Sequence, residues 1–163
     1  MNTLELEDIL KTHLKTAFIG VCAKDELPSD ILARPAAFIV NEDIASFPGT
    51  HWCAIYFKQN GTGEYFDSFG REPNNTVKKY VELHSPSGWQ YSTRQVQSNQ
   101  STLCGGFCVQ FLEARHKLRH IPMSKLLQKL FPYRSPKEND QIVLQRLRQH
   151  YKANVPLFDV GFL

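Results

Sequence analysis

The sequence predicts an α+β fold with a central mixed or antiparallel β-sheet flanked by helices. Segments rich in strand-forming residues lie in the middle of the chain, whereas apolar residues recur at helical spacing near its start and in its last third. The length of 163 residues is typical of one domain, so residues 1–163 are expected to form a single domain. With 42% apolar and 21% charged residues, the composition excludes a wholly disordered chain.

The N-terminal residues are expected to form a helix. Asn2 and Glu5 have the spacing of a capping box, which predicts a helix start. An apolar stripe follows at helical spacing, made of Leu6, Ile9, Leu10 and Leu14. Gly20 and Pro28 then bracket a segment that is expected to be irregular.

Four strands are predicted in the middle of the chain, at residues 36–40, 52–57, 64–69 and 89–96. Between the second and the third lies Asn60-Gly61-Thr62-Gly63, a strong hairpin signal, so these two strands are expected to pair in antiparallel fashion. A short helix is predicted over residues 71–82.

Three helices are predicted in the last third of the chain. Ser101 or Thr102 can cap the first, and Pro122 ends it. Its apolar residues at helical spacing are Phe107, Cys108, Phe111, Leu112 and Leu118. Residues 123–131 form a shorter second helix. The third begins at Ser135-Pro136-Lys137-Glu138, which combines a capping box with proline at the first helical position. Its apolar positions are Ile142, Leu144, Leu147 and Tyr151.

Several classes of protein are not expected from this sequence. It has no run of 18 apolar residues, so no membrane-spanning helix is predicted. The first eight residues are acidic and lack the basic-then-apolar order of a signal peptide. Four cysteines are too few for a disulfide scaffold, and a reducing compartment, cytosol or nucleus, is therefore expected.

Cys104 stands at the predicted start of a helix, directly before Gly105 and Gly106. Unpaired backbone N–H groups and the helix dipole favour a thiolate at that place, which is one way to activate a nucleophilic cysteine. The two glycines would let a substrate backbone approach closely. The alternative is a buried structural cysteine, the usual state of a free cysteine in a folded protein.

A nucleophilic cysteine needs a base, and His51 is the candidate among the six histidines. It adjoins a predicted strand, which would hold it in a fixed position. A hairpin that turns at Asn60-Gly61 brings Asp67 within a pair or two of His51. A carboxylate there can hold the imidazole tautomer and stabilise its charged form. A loop histidine and a turn-forming aspartate are the alternative readings.

An acyl-transfer site also needs a donor for the oxyanion, and Gln97 is a candidate. It lies seven residues before Cys104, at the end of a predicted strand. Its amide, together with the Cys104 backbone N–H, would complete such a site. Gln95 and Gln100 are competitors, and the spacing does not separate the three.

Three segments carry a resemblance to a known family. They are Gly49-Thr50-His51-Trp52, Tyr65-Phe66-Asp67-Ser68-Phe69-Gly70, and the stretch from Val96-Gln97 to Cys104-Gly105-Gly106-Phe107-Cys108. Together they resemble the adenovirus-type, or adenain-like, cysteine proteases, which are related to the proteases of ubiquitin-like proteins. The order histidine, acid, cysteine is that of this clan. Phe18-Ile19-Gly20 and residues 138–151 also look similar, so the resemblance covers most of the chain.

The resemblance implies an adenain-like protease fold and a role for each site residue. Cys104 is the implied nucleophile, His51 the general base, Asp67 the orienting acid and Gln97 the oxyanion donor. Trp52 would pack at the active site and bind substrate together with Gly105. The chemistry would then require no cofactor and no metal.

The chain also departs from the adenoviral pattern. Its acid is aspartate, as in the proteases of ubiquitin-like proteins, where the adenoviral enzyme has glutamate. The adenoviral enzyme is activated by a peptide bound through a disulfide, but no cysteine lies between Cys53 and Cys104 here. Disulfide-linked activation is therefore not expected, whereas activation by a non-covalent peptide or by DNA stays open.

The function expected from the resemblance is that of a cysteine endopeptidase. It would mature viral capsid or core precursor proteins at glycine-containing sites, and its location would be the virion and the host nucleus. The alternative is a protease that deconjugates a ubiquitin-like protein, located in the cytosol or nucleus.

The C-terminal third of the chain is basic. Residues 114–163 carry ten Lys/Arg and three Asp/Glu, whereas residues 1–113 have a net charge of −4. Such a surface could bind DNA without sequence preference. The candidate residues are Arg115, Arg119, Lys125, Lys129, Arg146 and Arg148. The alternative is a set of helices kept soluble by charge.

Two functions without catalysis are further alternatives. The basic third alone would suit a DNA-binding protein, although no recognised binding motif accompanies the charge. His51, Cys53, Cys104 and Cys108 could supply four ligands to a metal, although structural zinc sites usually show tighter paired spacing.

Overall fold

A five-stranded mixed β-sheet lies at the centre of the structure, a computed structural model that describes residues 1–151. Its strands follow the chain order and are β1 (Phe18–Ala23), β2 (Ala36–Asn41), β3 (Trp52–Phe57), β4 (Gly63–Phe66) and β5 (Trp89–Tyr91). The pairs β2–β3 and β3–β4 are antiparallel, whereas the outer pairs β1–β2 and β4–β5 are parallel.

Helices cover both faces of this sheet. They are α1 (Thr3–Leu14), α2 (Asn75–Leu83), α3 (Cys104–Lys117), α4 (Met123–Leu130) and α5 (Pro136–His150). The predicted α+β class, with helices flanking a mixed sheet, is confirmed. Within residues 1–151, none of these helices combines the length and apolar character needed to cross a membrane.

Each face of the sheet is buried against its own hydrophobic core. On β2, Ala37 and Ile39 point into the core shared with α1, α3, α4 and α5, whereas Phe38 and Val40 point into the smaller core around α2. This alternation follows from the two-residue period of a strand. Because both faces are covered, β2 and β3 read as continuous apolar runs.

Helix α3 lies between the sheet and the other helices and is buried along most of its length. Its aromatic residues anchor it: Phe111 stacks on Phe66 of β4 with ring centroids 4.7 Å apart, and Phe107 packs on Phe131. The Cys108 thiol donates to the Trp52 carbonyl at 3.3 Å, which places the beginning of α3 beside the start of β3.

The N-terminal prediction is confirmed for α1 and is wrong for residues 20–23 of the segment after it, whereas residues 24–28 are irregular as expected. Asn2 and Glu5 form the capping box, and Leu6, Leu10 and Leu14 are buried. The segment expected to be irregular begins with β1, which pairs in parallel with β2. This segment forms a strand because it pairs with β2, which is distant in sequence. Gly20 within it favours an irregular segment when the local sequence is considered alone.

Several predicted boundaries differ from the structure because turns and backbone contacts intervene. Strand β4 stops at Phe66, since a turn follows in which the Gly70 N–H donates to the Asp67 carbonyl at 2.9 Å. Gly70 has a φ of +73°, and a Cβ there would meet the Thr93 carbonyl oxygen at 2.6 Å. The last strand covers three residues rather than eight, Trp89–Tyr91.

The predicted side-chain caps of α3 and α5 do not form, although α5 begins at Pro136 as predicted. Leu103, rather than Ser101 or Thr102, is the N-cap of α3, and no side chain caps this helix. The Ser101 hydroxyl instead accepts from the Leu103 N–H at 3.3 Å. Ser135 is the N-cap of α5 but its side chain makes no capping bond, so the predicted capping box does not form.

Candidate active site

The hairpin of β3 and β4 brings His51 and Asp67 together. His51 directly precedes β3 and Asp67 directly follows β4, so both lie at the same edge of the antiparallel pair. His51 Nε2 lies 2.8 Å from Asp67 Oδ1, and both residues are buried. The structure therefore places this pair where the hairpin register predicts it.

Local contacts hold both side chains of this pair in place. The Phe69 N–H donates to Asp67 Oδ1 at 2.8 Å, which ties the carboxylate to the turn after β4. The ring of Phe69 packs against His51 with centroids 5.1 Å apart. The imidazole is thus fixed by one hydrogen bond and one ring contact, which is the precision that proton transfer requires.

Cys104 is the first residue of α3, and its thiol interacts with the His51 side chain. Because Asp67 occupies Nε2, the ring nitrogen left for the sulfur is Nδ1. Burial opposes ionisation of the thiol, but hydrogen bonds with His51 and with the backbone of Trp52 and Gly105 outweigh it and lower the pKa of Cys104. The helix start also favours negative charge on the sulfur.

The pKa of His51 is shifted upward, opposite to that of Cys104. Burial lowers its pKa, but the hydrogen bonds to Asp67 and Cys104 prevail and raise the pKa to about 9. A lowered thiol pKa beside a raised imidazole pKa favours a thiolate–imidazolium pair at neutral pH. Such a pair is a preformed nucleophile with a proton donor beside it.

Gln97 is fully buried and its amide orientation is fixed at both ends. The Ser68 hydroxyl donates to Gln97 Oε1 at 2.5 Å, and Gln97 Nε2 donates to the Ser101 carbonyl at 2.7 Å. The NH₂ group therefore faces the segment that leads into Cys104. Gln97 and Cys104 line the same cavity, whereas Gln95 and Gln100 are exposed and do not line it.

This cavity has a volume of about 600 Å³ and opens onto His51, Trp52, Gln97 and Cys104. Its volume lies within the range of ligand-binding clefts. Another cavity, of about 620 Å³, lies around Glu113 and Arg146 and contains none of the predicted catalytic residues.

Packing accounts for both glycines of α3. A Cβ at Gly105 would meet Leu6 at 3.1 Å, and one at Gly106 would meet Leu147 at 2.6 Å. Both glycines therefore let α1 and α5 approach α3 closely. Trp52 lines the cavity at Cys104, but Gly105 is not among its lining residues. A substrate contact of Gly105 stays a prediction.

One acidic residue at the site was not identified from the sequence. Glu42 follows β2, where Asn41 pairs with Trp52, so Glu42 lies opposite His51. Its backbone N–H donates to the His51 carbonyl at 3.2 Å. Pairing the two predicted strands before locating the histidine would have found it.

Glu42, His51 and Cys53 place their donor atoms within 4.8 Å of one another. His51 Nε2 is already bonded to Asp67, and the Cys53 thiol is buried with its pKa raised by burial. We therefore describe this group as the electrostatic surroundings of His51. The four-ligand arrangement considered from the sequence does not form in residues 1–151, where the group of donor atoms is Glu42, His51 and Cys53. The Cys108 thiol donates instead to the Trp52 carbonyl at 3.3 Å.

Two of the six predicted DNA-binding residues are unsuited to that role. Arg115 is fully buried, with Nε 2.7 Å from Glu64 Oε2. Arg146 is half-buried and donates to Gln110 Oε1 and to the Leu130 carbonyl. The exposed ones are Arg119, Lys125, Lys129 and Arg148. Lys152, at the end of the basic segment, lies outside the described residues.

Comparison with solved structures identifies the fold, whereas no protein-family model and no curated protein matches the chain. The crystal structure of the ASFV pS273R protease superposes with a TM-score of 0.60 and 17% identity, over 88% of this chain and 66% of that chain. A second crystal structure of the same protease also gives 0.60, with 18% identity over 85% and 63% of the two chains. The chain has an adenain-like cysteine protease fold.

A third solved structure matches this chain over nearly its full length. The central domain of the uncharacterized Lpg1148 protein from Legionella pneumophila has a TM-score of 0.60 and 14% identity, over 93% of this chain and 96% of that domain. This chain thus spans about two thirds of the ASFV protease chains but nearly all of the Legionella domain. The adenain-like fold expected from the sequence is confirmed.

Proposed function

We propose that this protein is a cysteine protease whose nucleophile is Cys104. The observation that carries the proposal is the chain of contacts from Asp67 through His51 to Cys104, in a cavity at the start of α3. The shared fold of the ASFV protease supports the same conclusion. No cofactor is needed for this chemistry.

The proposed reaction proceeds through a thioester. The Cys104 thiolate attacks the scissile carbonyl carbon, and the carbonyl oxygen becomes an oxyanion that accepts from the Cys104 backbone N–H and the Gln97 amide. His51 then gives its proton to the leaving amine as the C–N bond breaks. Neutral His51 takes a proton from water, whose hydroxide displaces the thiolate and releases the acid product.

We place the deconjugation of a ubiquitin-like protein ahead of viral precursor maturation as the natural reaction. The supporting residue is Asp67, because aspartate in this position resembles the proteases of ubiquitin-like proteins. The second candidate, cleavage of viral precursors at glycine-containing sites, is favoured by the similarity to a protease of ASFV. An activating peptide and DNA remain proposed partners of either reaction.

A panel of substrates tests both the activity and its class. Ubiquitin-like proteins with a fluorogenic group on the C-terminal carboxyl are compared with extended peptides that carry glycine before the scissile bond. Cys104→Ala should abolish cleavage, whereas the matched control Cys22→Ala should retain it, because Cys22 lies on β1 away from the cavity. Cleavage that survives in Cys104→Ala would overturn the proposal, and preference for the peptides would reverse the order of the two candidates.

A further inference from the structure

Glu42 adds a second carboxylate to the surroundings of His51. Three features place it there: the cross-strand position opposite His51, the 3.2 Å backbone hydrogen bond, and donor atoms of the two side chains within 4.8 Å. The side chain is half-buried. At this depth, a charge acts on its neighbour with less screening than at the surface.

Several charged and titratable side chains surround Glu42, and they come from different segments of the chain. His51 lies directly before β3 and Cys53 lies on it, the turn after β4 contributes Asp67, and the following loop contributes Arg71. On its own segment, Asp43 is adjacent but is engaged by the N–H and the hydroxyl of Thr50. No lysine or arginine in residues 1–151 forms an ion pair with Glu42, so its close cationic neighbour is the imidazolium of His51.

We propose that Glu42 is a positioning residue that acts through His51: together with Asp67 it stabilises the imidazolium and thereby keeps Cys104 as a thiolate. The inference rests on the proposed function, since it concerns the same catalytic pair. It differs in kind from the role of Asp67, which bonds the imidazole directly and fixes its tautomer. Glu42 contributes charge across the β2–β3 pair.

The proposal fixes the sign of the pH dependence. An anionic Glu42 favours the imidazolium over neutral His51, so the thiolate–imidazolium pair persists to a higher pH, near the His51 pKa of about 9. Burial raises the pKa of Glu42, and the nearby His51 and Arg71 oppose this rise. The effect belongs to the anionic form of Glu42 and is lost when the solution becomes acidic enough to protonate it.

Alkylation of Cys104 by iodoacetamide tests this without any substrate. All variants are made in a Cys22→Ala background, because Cys53 and Cys108 are buried and Cys22 is partly exposed. Glu42→Gln keeps the shape and removes the charge. It should move the upper inflection of the rate–pH profile, which marks the loss of the imidazolium, from near pH 9 to lower pH by about half to one unit, and leave the rate above pH 10 unchanged. Glu42→Asp should recover most of this shift, and the exposed control Glu72→Gln should match the parent protein.

A second measurement reads the imidazole directly. In Cys104→Ala, the ring resonances of His51 are followed by NMR as a function of pH, and Glu42→Gln should lower the His51 pKa there. An unchanged His51 pKa, or an upper inflection of the alkylation profile at the same pH in Glu42→Gln and its parent, would overturn the inference. If Cys104 of the parent protein titrates like an ordinary free thiol, the proposed protease function fails. If Cys104 of the parent is activated but Glu42→Gln has no effect, only the inference about Glu42 fails.

Discussion

The two ends of helix α3 each meet a buried carboxylate from the β4 segment, but the cations that accompany them differ. At the first residue, Cys104 meets the His51–Asp67 pair. At the far end, Arg115 lies 2.7 Å from Glu64, whose other oxygen is 2.7 Å from Lys58. Arginine and lysine keep their charge throughout the physiological pH range, whereas histidine titrates within it.

The difference shows that the two ends of α3 have separate roles, one in stabilising the fold and one in the proposed reaction. Arg115 also donates to the carbonyls of Leu118 and Ile121, so it ties the connection after α3 to the sheet. This anchor lies eleven residues from Cys104, or about 16 Å along the helix axis. The Arg115–Glu64 pair thus fixes one end of the helix, and the His51–Asp67 pair lies at its other end.

The largest effect is expected at the titrating end. Asp67→Asn keeps the shape of the side chain but can offer an N–H to His51, which favours the wrong tautomer. The cleavage rate should fall by about 10²–10⁴, as in triads whose acid orients the base. His51→Ala should approach the loss seen in Cys104→Ala, because the residues act as a unit. Steady-state kinetics on the best substrate measures both losses.

An unchanged rate in Asp67→Asn would mean that another acid orients His51. Glu64 and Glu72 are excluded from that role, because Glu64 is committed to Lys58 and Arg115 and Glu72 is exposed. Glu42 would then be the remaining candidate. In that case the cleavage rate should fall in the double variant of Asp67→Asn with Glu42→Gln.

The next largest effect is expected at the Arg115 end of α3, and it concerns the stability of the fold rather than catalysis. Arg115→Met leaves Glu64 buried with Lys58 as its remaining cation. Breaking a buried pair in this way costs about 3–5 kcal/mol of unfolding free energy, measurable by urea denaturation. The exposed control Arg119→Met should cost little. If the cleavage rate per folded molecule of Arg115→Met fell as much as that of Asp67→Asn, Arg115 would not have a purely structural role.

The same comparison shows what the sequence can predict. His51 and Asp67 are placed by one hairpin, and Cys104 by one helix start, so short-range patterns suffice to place the proposed catalytic residues. Arg115 is surrounded by other basic residues, and its sequence context predicts an exposed face. Its burial depends on Glu64, 51 positions earlier, and such tertiary pairing leaves no periodic trace.

Long-range pairing also explains the other differences between prediction and structure. Strand β1 depends on β2, and Glu42 meets His51 through the β2–β3 register. The serine and threonine before α3 are compatible with capping, yet the chain enters the helix through Leu103. In each case the deciding contact is distant in sequence or made by backbone atoms.

A smaller catalytic effect is expected from Gln97, which belongs to the catalytic end but takes no part in proton transfer. Gln97→Ala removes one oxyanion donor and should lower turnover by about 10²–10³ with little change in the pH profile. It also removes the acceptor of Ser68 and the donor to Ser101, so folding is checked by circular dichroism. The exposed Gln95 and Gln100 serve as matched controls, and a larger loss in either alanine variant would transfer the role to it.

The smallest effect concerns the surface beyond the anchored end of α3. Arg119, Lys125, Lys129 and Arg148 are exposed, and we predict that they support weak DNA binding without sequence preference. Lys125 and Lys129 are one turn apart on α4, so they can contact neighbouring phosphates. Each neutralised phosphate releases counterions, and affinity should therefore fall steeply as salt rises.

Fluorescence anisotropy with a random duplex at low and moderate salt measures this binding. The double variant Lys125→Gln with Lys129→Gln should weaken it several-fold and flatten the dependence on salt by about two phosphate contacts. Arg115→Met, studied where it is folded, should bind DNA as the parent protein does, because its guanidinium is committed to Glu64. Binding that ignores salt, or that Arg115→Met alone abolishes, would remove the DNA prediction. Neither result would affect the protease proposal, since the catalytic contacts lie at the opposite end of α3.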